Sequence, residues 1–201
     1  MTERKQKSRM GFVLAGGRSS RMGTDKAFLE LNGRTLLERA ISLIKSVCSE
    51  VAIVGHPEKF SGYDRVIEDI YPGRGPLAGI HAALSHSSAE LNLILAVDLP
   101  FVSAELLNFL FACAENSEAV VAVPHTARGF QPLCAVYRPP FSAAAEQALK
   151  AGNNKIDAVF DGLTLRVIEE SELFAAGFSE NSFANLNTPE DFKAVLNSDF
   201  R

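Results

Sequence analysis

Leu91–Val97 is the most apolar stretch of the chain, and it stops abruptly at Asp98-Leu99-Pro100. A strand with no polar face must be covered on both sides, as are the inner strands of a parallel sheet layered by helices. The flanking sequence agrees. Phe12-Val13-Leu14-Ala15 is a short apolar run that breaks at Gly16-Gly17, which predicts a buried strand feeding a loop. Val51–Val54, Val66-Ile67, Ala119–Val123, Leu133–Tyr137 and Leu165–Ile168 predict further strands.

Helical signals lie between them. Thr35-Leu36-Leu37-Glu38 has the capping-box spacing, followed by Leu37, Ala40, Ile41, Ile44 and Val47 at helical period. Leu77–Leu84 and Phe141–Leu149 predict two more helices, and Ser103 caps another that carries Leu106, Leu107, Leu110 and Phe111. Thr188-Pro189-Glu190-Asp191 opens a last one, with proline at its first position. Alternating strands and helices give an α/β fold, with a mostly parallel central sheet, helices on both faces and right-handed crossovers. Pro124–Pro132, with two prolines and Gly129, predicts an irregular excursion.

The 201 residues suffice for one sizeable core, and no linker marks a boundary. The expected organisation is a flexible lead over 1–9 and a single domain over 10–201. A net charge of −4 argues against a nucleic-acid partner while leaving room for one basic pocket. The three cysteines, Cys48, Cys113 and Cys134, are widely spaced, as expected of reduced, buried thiols in the cytoplasm. No apolar run is long enough for a signal peptide or a membrane span, so no membrane partner is expected.

Ligands of parallel sheets sit at the carboxyl ends of the strands. The strongest chemical signal is there, in Leu14-Ala15-Gly16-Gly17-Arg18-Ser19-Ser20-Arg21-Met22-Gly23-Thr24-Asp25-Lys26. Glycines let the main chain approach a phosphate, and successive N–H groups form an anion nest. Arg21 and Lys26 add fixed positive charge suited to a polyphosphate. Neither the P-loop nor the dinucleotide fingerprint matches this spacing. The competing reading is a solvated surface loop.

Asp98, at the end of the most apolar strand, is costly unless a cation or hydrogen bonds satisfy it. It can bind Mg²⁺ together with substrate phosphates, or serve as a turn residue before Pro100. Asp69 opens the segment to Gly79, where Gly73, Gly75 and Gly79 can pack against a base and ribose or simply form a rigid turn before a helix. Asn185 and Asn187 lie on one side of an extended segment and can bind an acceptor or act as turn and cap residues. The four histidines show no metal-ligand spacing.

Together, Leu14-Ala-Gly-Gly-x-Ser-x-Arg-Met-Gly-x-Asp-Lys26, Gly75-Pro-Leu-Ala-Gly79, Asp98-Leu-Pro-Phe101 and Asn185-x-Asn-Thr-Pro-Glu190 resemble the molybdenum cofactor guanylyltransferases. The first motif is shared by many nucleotidyltransferases, whereas the combination is more specific. The resemblance implies a three-layer Rossmann-like fold that joins GMP from GTP to molybdopterin or molybdenum-molybdopterin and releases pyrophosphate. It implies Mg²⁺ as cofactor, bound by Asp98, and proteins that deliver or receive the molybdenum cofactor. It places Leu14, Ala15, Gly16, Lys26, Asp69 and Asp98 on the nucleotide; the reading of the glycine-rich segments adds Gly17, Gly23 and Gly79 as nucleotide contacts, and Arg21, Lys26 and Asp98 are the expected catalytic residues. Lys155, Asn185 and Asn187 fall on the acceptor side. Val54 stands where some members carry a nucleotide-contacting asparagine, and Lys155 where an arginine is expected. Rival expectations are a cytidylyltransferase for the same cofactor, a sugar-phosphate nucleotidyltransferase, or a non-catalytic nucleotide-binding protein.

Overall fold

A computed structural model of the chain describes residues 7–16 and 25–186. Its strands and helices follow in the order β1 (Arg9–Leu14), β2 (Glu30–Leu31), β3 (Arg34–Thr35), α1 (Leu36–Lys45), β4 (Glu50–Val54), β5 (Val66–Ile67), α2 (Pro76–Ser85) and β6 (Leu91–Ala96). The second half continues with α3 (Ala104–Glu115), β7 (Val121–Thr126), β8 (Gly129–Phe130), β9 (Cys134–Tyr137), α4 (Pro140–Lys150), α5 (Asp157–Phe160), β10 (Leu165–Glu169) and α6 (Glu170–Ala175). The predicted helix at Thr188 lies outside the described residues.

The main sheet runs β10-β7-β9-β6-β1-β4-β5, with β8 added to β7. The pairs β6-β1, β1-β4, β4-β5 and β7-β10 are parallel; β9 runs against both β6 and β7. The expected mostly parallel sheet is therefore present. Alternate strand residues face opposite layers. Val13, Ile53, Leu93 and Leu95 pack beneath α1 and α3, while Phe12, Leu14, Ala52, Val54 and Ile94 pack beneath α2 and α4. The chain leaves β1 through α1 toward β4, then returns through α2 to β6 on the other side of β1. The gap between the carboxyl ends of β1 and β6 is thus the point at which strand order reverses, and it is where a ligand crevice forms.

Local chemistry fixes these elements. In α1, Glu38 N–H donates to Thr35 Oγ1 at 3.1 Å and Thr35 N–H to Glu38 Oε2 at 2.8 Å, completing the capping box. Ser103 Oγ likewise caps α3 by accepting from Leu106 N–H at 3.3 Å. Asn92, fully buried in β6, donates to the carbonyls of Ala89 and Tyr137 and accepts from Ser87 Oγ. All three cysteines are buried free thiols, and burial pushes Cys48 and Cys134 up to about 12.

Two regions differ from the sequence expectation. Pro124–Pro132 is ordered around the hairpin β7-β8, with Gly129 at φ 94° opening β8 directly after the turn. Pro124 sits inside β7, and its carbonyl accepts from Gln131 N–H at 2.8 Å, beyond the two rungs that β7 shares with β9. A proline is tolerated there because no ladder donor is needed. At the other end, Arg9 belongs to the domain rather than to the lead: it begins β1, lies 4.4 Å from the Phe111 ring centroid and pairs with Glu115 at 2.7 Å.

Gly11 shows how closely the layers approach. A Cβ on Gly11 would overlap Ile44 Cγ2 of α1 and sit 3.4 Å from Cys48 Sγ. Gly11→Ala therefore displaces α1 and costs about 1–3 kcal/mol, read as a lower urea midpoint at unchanged slope.

Candidate functional site

A cleft of about 220 Å³ opens where the topology places it, at the carboxyl ends of β1 and β6. Leu14, Ala15 and Gly16 line one wall, Ala96, Val97 and Asp98 another, and Gly75, Pro76 and Gly79 at the start of α2 a third, with Asp25, Lys26, Val54, Asp69 and Leu133 completing it. The backbone is pinned across its floor. Ala15 N–H donates to Val54 C=O at 3.0 Å, and Val97 N–H to Leu14 C=O at 3.1 Å.

Lys26 and Asp98 meet inside. Lys26 follows Asp25, whose carboxylate caps the 3-10 turn Lys26–Phe28 by accepting from Ala27 N–H at 3.1 Å. The Lys26 ammonium then reaches across to Asp98 Oδ2 at 2.9 Å, with each side chain only about a fifth exposed (19% and 20%). An ammonium and a carboxylate so placed form a preorganised polar pair that can exchange partners with an incoming polyphosphate and its cation.

Asp69 is held differently. Burial raises its pKa, the neighbouring Glu68 adds to the rise and His56 opposes it. Its Oδ1 is buried without a hydrogen-bond partner. A buried acceptor without a donor costs free energy until something supplies one. The floor beside it is bare by design of the sequence: a Cβ at Gly79 would lie 3.6 Å from Asp69 Oδ1 and 3.4 Å from Leu14 Cδ2. Those are ordinary contacts, so packing within the empty fold does not demand glycine; the open space belongs to the cleft. Gly75 does need its freedom, for it stands before α2 at φ 74°. Val54 is buried and its carbonyl already accepts from Ala15 N–H, so this position gives the cleft an apolar wall rather than a side-chain amide.

Among the described residues, no group of three or more His, Cys, Asp and Glu side chains is placed to hold a metal alone. A hard cation would therefore need phosphate and water ligands beside Asp98, which is how Mg²⁺ is commonly bound with nucleotides. The residues present fit that arrangement.

The structure thus brings Leu14, Ala15, Gly16, Lys26, Asp69, Gly79 and Asp98 together. Asn185 is exposed, but its segment runs beside the site, because Leu186 N–H donates to Asp98 C=O at 3.0 Å. Lys155 is exposed in the turn after α4 and does not line the cleft. Gly17, Arg21, Gly23 and Asn187 lie outside the described residues. Asp25, Pro76, Ala96, Val97 and Leu133 join the site without having been given a role from sequence. Of these, Asp25 and Pro76 carried a signal, since both stand inside the quoted motifs.

The profile of the MobA-like NTP transferase domain matches residues 11–167. The chain belongs to that family. It is 38% identical over 184 residues to a probable molybdenum cofactor guanylyltransferase of Pelotomaculum thermopropionicum, covering 90% of this chain and 88% of that one. A molybdenum cofactor guanylyltransferase of Desulfosudis oleivorans is also 38% identical, over 91% of this chain and 92% of its own. Among solved structures, molybdopterin-guanine dinucleotide biosynthesis protein A of Archaeoglobus fulgidus superposes with a TM-score of 0.81 at 30% identity, covering 92% of this chain and 96% of that one. In this family member the cleft brings Lys26 and Asp98 together beside the start of the glycine-rich segment.

Proposed function

We propose that this chain transfers GMP from GTP to the terminal phosphate of molybdopterin or molybdenum-molybdopterin, releasing pyrophosphate. The observation that carries the reading is the Lys26–Asp98 pair, 2.9 Å apart at the reversal point of the sheet. The names of relatives aligned over about nine-tenths of the chain supply the substrate class.

A phosphate oxygen of the acceptor attacks the α-phosphorus of GTP in line. The new P–O bond forms as the bond from the α-phosphorus to the α,β-bridging oxygen breaks, and its electron pair leaves with pyrophosphate. The nucleophile is anionic at neutral pH, so no side chain has to remove a proton. The chain's task is to hold two anions together and to stabilise charge growing on the α-phosphate and the leaving group. Lys26 supplies positive charge at the phosphates, and Gly16, which follows β1 and lines the cleft, lets them approach the main chain. Asp69 accepts hydrogen bonds from the nucleoside. Asp98 is the residue to hold Mg²⁺, which when bound would neutralise part of the phosphate charge. Asn185, tethered beside Asp98 through Leu186, is the residue on the acceptor side; Lys155, exposed and away from the cleft lining, is proposed only as an acceptor contact.

No helix among the described residues is long and apolar enough to cross a membrane. That observation and the buried free thiols support a cytoplasmic reading.

A thermal-shift panel with Mg²⁺ and each of GTP, CTP, UTP, ATP and dTTP tests the assignment. GTP at about 100 times its Kd should stabilise by roughly 2.7 kcal/mol, with pyrophosphate released only when molybdopterin is added. A preference for CTP would keep the reaction class and overturn the substrate. The absence of a shift with every nucleotide would overturn the reading as a whole.

A further inference from the structure

The segment between β4 and β5 touches both ends of the nucleotide loop. It turns on itself through Lys59 N–H to His56 C=O at 3.1 Å and Tyr63 N–H to Phe60 C=O at 3.0 Å. Phe60 is 1% exposed. Its ring fills the space a side chain at Gly55 would need, where a Cβ would lie 2.6 Å from Phe60 Cε2. Gly55 in turn backs Gly16, whose own Cβ would meet the Gly55 Cα at 3.8 Å. On the other side the Phe60 ring packs on Phe28, at 5.8 Å between centroids, in the turn that carries Lys26. One aromatic side chain therefore supports the loop where it leaves β1 and where it returns.

Lys59 extends this support to the polar side. Its ammonium lies 4.9 Å from the Phe60 centroid and pairs with Asp25 Oδ2, the two side chains being 24% and 29% exposed. Asp25 is then engaged at both oxygens, since Oδ1 caps the turn at Ala27 N–H. The next residue along the chain is Lys26. Burial lowers the Lys59 pKa, and the Asp25 carboxylate is the anion in contact with its ammonium. Exposed ion pairs contribute little. This one is mostly shielded and adjoins the lysine that reaches Asp98.

We infer that Lys59 is a positioning residue for nucleotide transfer: by fixing Asp25, it sets the turn that aims Lys26 into the cleft. The inference rests on the guanylyltransferase reading for its kinetic consequence and on geometry alone for its structural one. An error of about 1 Å in placing a group at a reacting centre can cost 100-fold in rate.

The test compares wild type, Lys59→Met, Lys59→Arg, Asp25→Asn and the Lys59→Met/Asp25→Asn double variant, reading kcat and KM for GTP and the thermal midpoint. A second readout, free of any substrate, follows the Lys26 amine by NMR in reductively ¹³C-methylated protein, assigned with Lys26→Arg. Lys59→Met should lower kcat/KM by about 10- to 100-fold, move the Lys26 signal and leave the thermal midpoint nearly unchanged. Lys59→Arg should restore most of the loss, and the double variant should be no worse than Asp25→Asn. An unmoved Lys26 signal in Lys59→Met, or losses that multiply in the double variant, would overturn the inference. Wild type without turnover would sink the guanylyltransferase reading, and the Lys26 signal would still decide the role of Lys59.

Discussion

Asp98→Asn and Lys26→Met should each lower kcat for guanylate transfer by about 100- to 1,000-fold, equivalent to roughly 2.7–4 kcal/mol of transition-state stabilisation. Circular dichroism should be unchanged. The two side chains are each about a fifth exposed and pair at 2.9 Å, so losing one partner costs stability on the order of 1 kcal/mol. For a chain of this size that moves the thermal midpoint by roughly 2–4 °C. The barrier change exceeds the stability change severalfold, which separates a catalytic role from a folding one when kcat is measured well below the midpoint. In the proposed mechanism the pair acts on the same phosphates, so the double variant should be little slower than the worse single one. Steady-state kinetics at saturating GTP, with Mg²⁺ titrated in each variant, checks both statements. Asp98→Asn should need more Mg²⁺ for half its maximal rate, and Lys26→Met should not. Full activity in Asp98→Asn would remove that residue from the site.

The parts of the fold that could be read from sequence are those where local pattern and burial agree. Leu91–Val97 could only be an inner strand, and the structure buries all of Leu91–Ala96 between two helical layers. The capping box at Thr35 and the cap at Ser103 announced α1 and α3 because each donor and acceptor lies within three residues of its partner. The first half of β7 falls within the expected strand Ala119–Val123. Its continuation through Pro124 into the β8 hairpin escaped because Pro124 reads as a break and the pairings with β8 and β10 are not local signals. The small hairpin β2-β3 did have a local signal: Asn32-Gly33 takes positive φ at both positions, 54° and 73°, as a type I′ turn requires. The site divides the same way. Asp98 and Asp69 were singled out near predicted strand ends and Lys26 at the close of the glycine-rich loop, and the structure brings the three to one cleft. Lys59 was not singled out, because nothing in His56-Pro57-Glu58-Lys59 says that it will fold back onto Asp25, 34 positions earlier in the sequence.

Asp69→Asn should make the unliganded protein more stable while weakening nucleotide binding. The Asp69 carboxylate is partly buried, its Oδ1 has no donor, and burial holds its pKa above the ordinary carboxylate value. A group whose folded pKa is raised stabilises the fold fully only below its unfolded pKa, near 3.8, and loses that contribution as pH rises through the folded value. At neutral pH the ionised side chain is therefore a cost. Asparagine removes the charge and leaves a smaller penalty, a gain on the order of 1 kcal/mol for a half-buried group. That gain should be present at pH 7 and shrink as pH falls toward 4, which urea denaturation at several pH values can follow. Nucleotide moves the balance the other way. Donors arriving from a bound nucleoside would satisfy the carboxylate through charge-assisted bonds of about 1.5–3 kcal/mol, so the variant should bind GTP roughly 10- to 100-fold more weakly. A site that spends stability in the empty state to gain affinity in the filled one predicts these opposite signs together. If Asp69→Asn instead lowered both the urea midpoint and GTP affinity, Asp69 would be a structural turn residue. If it raised the midpoint with affinity intact, the nucleoside would have to be read by main-chain groups alone.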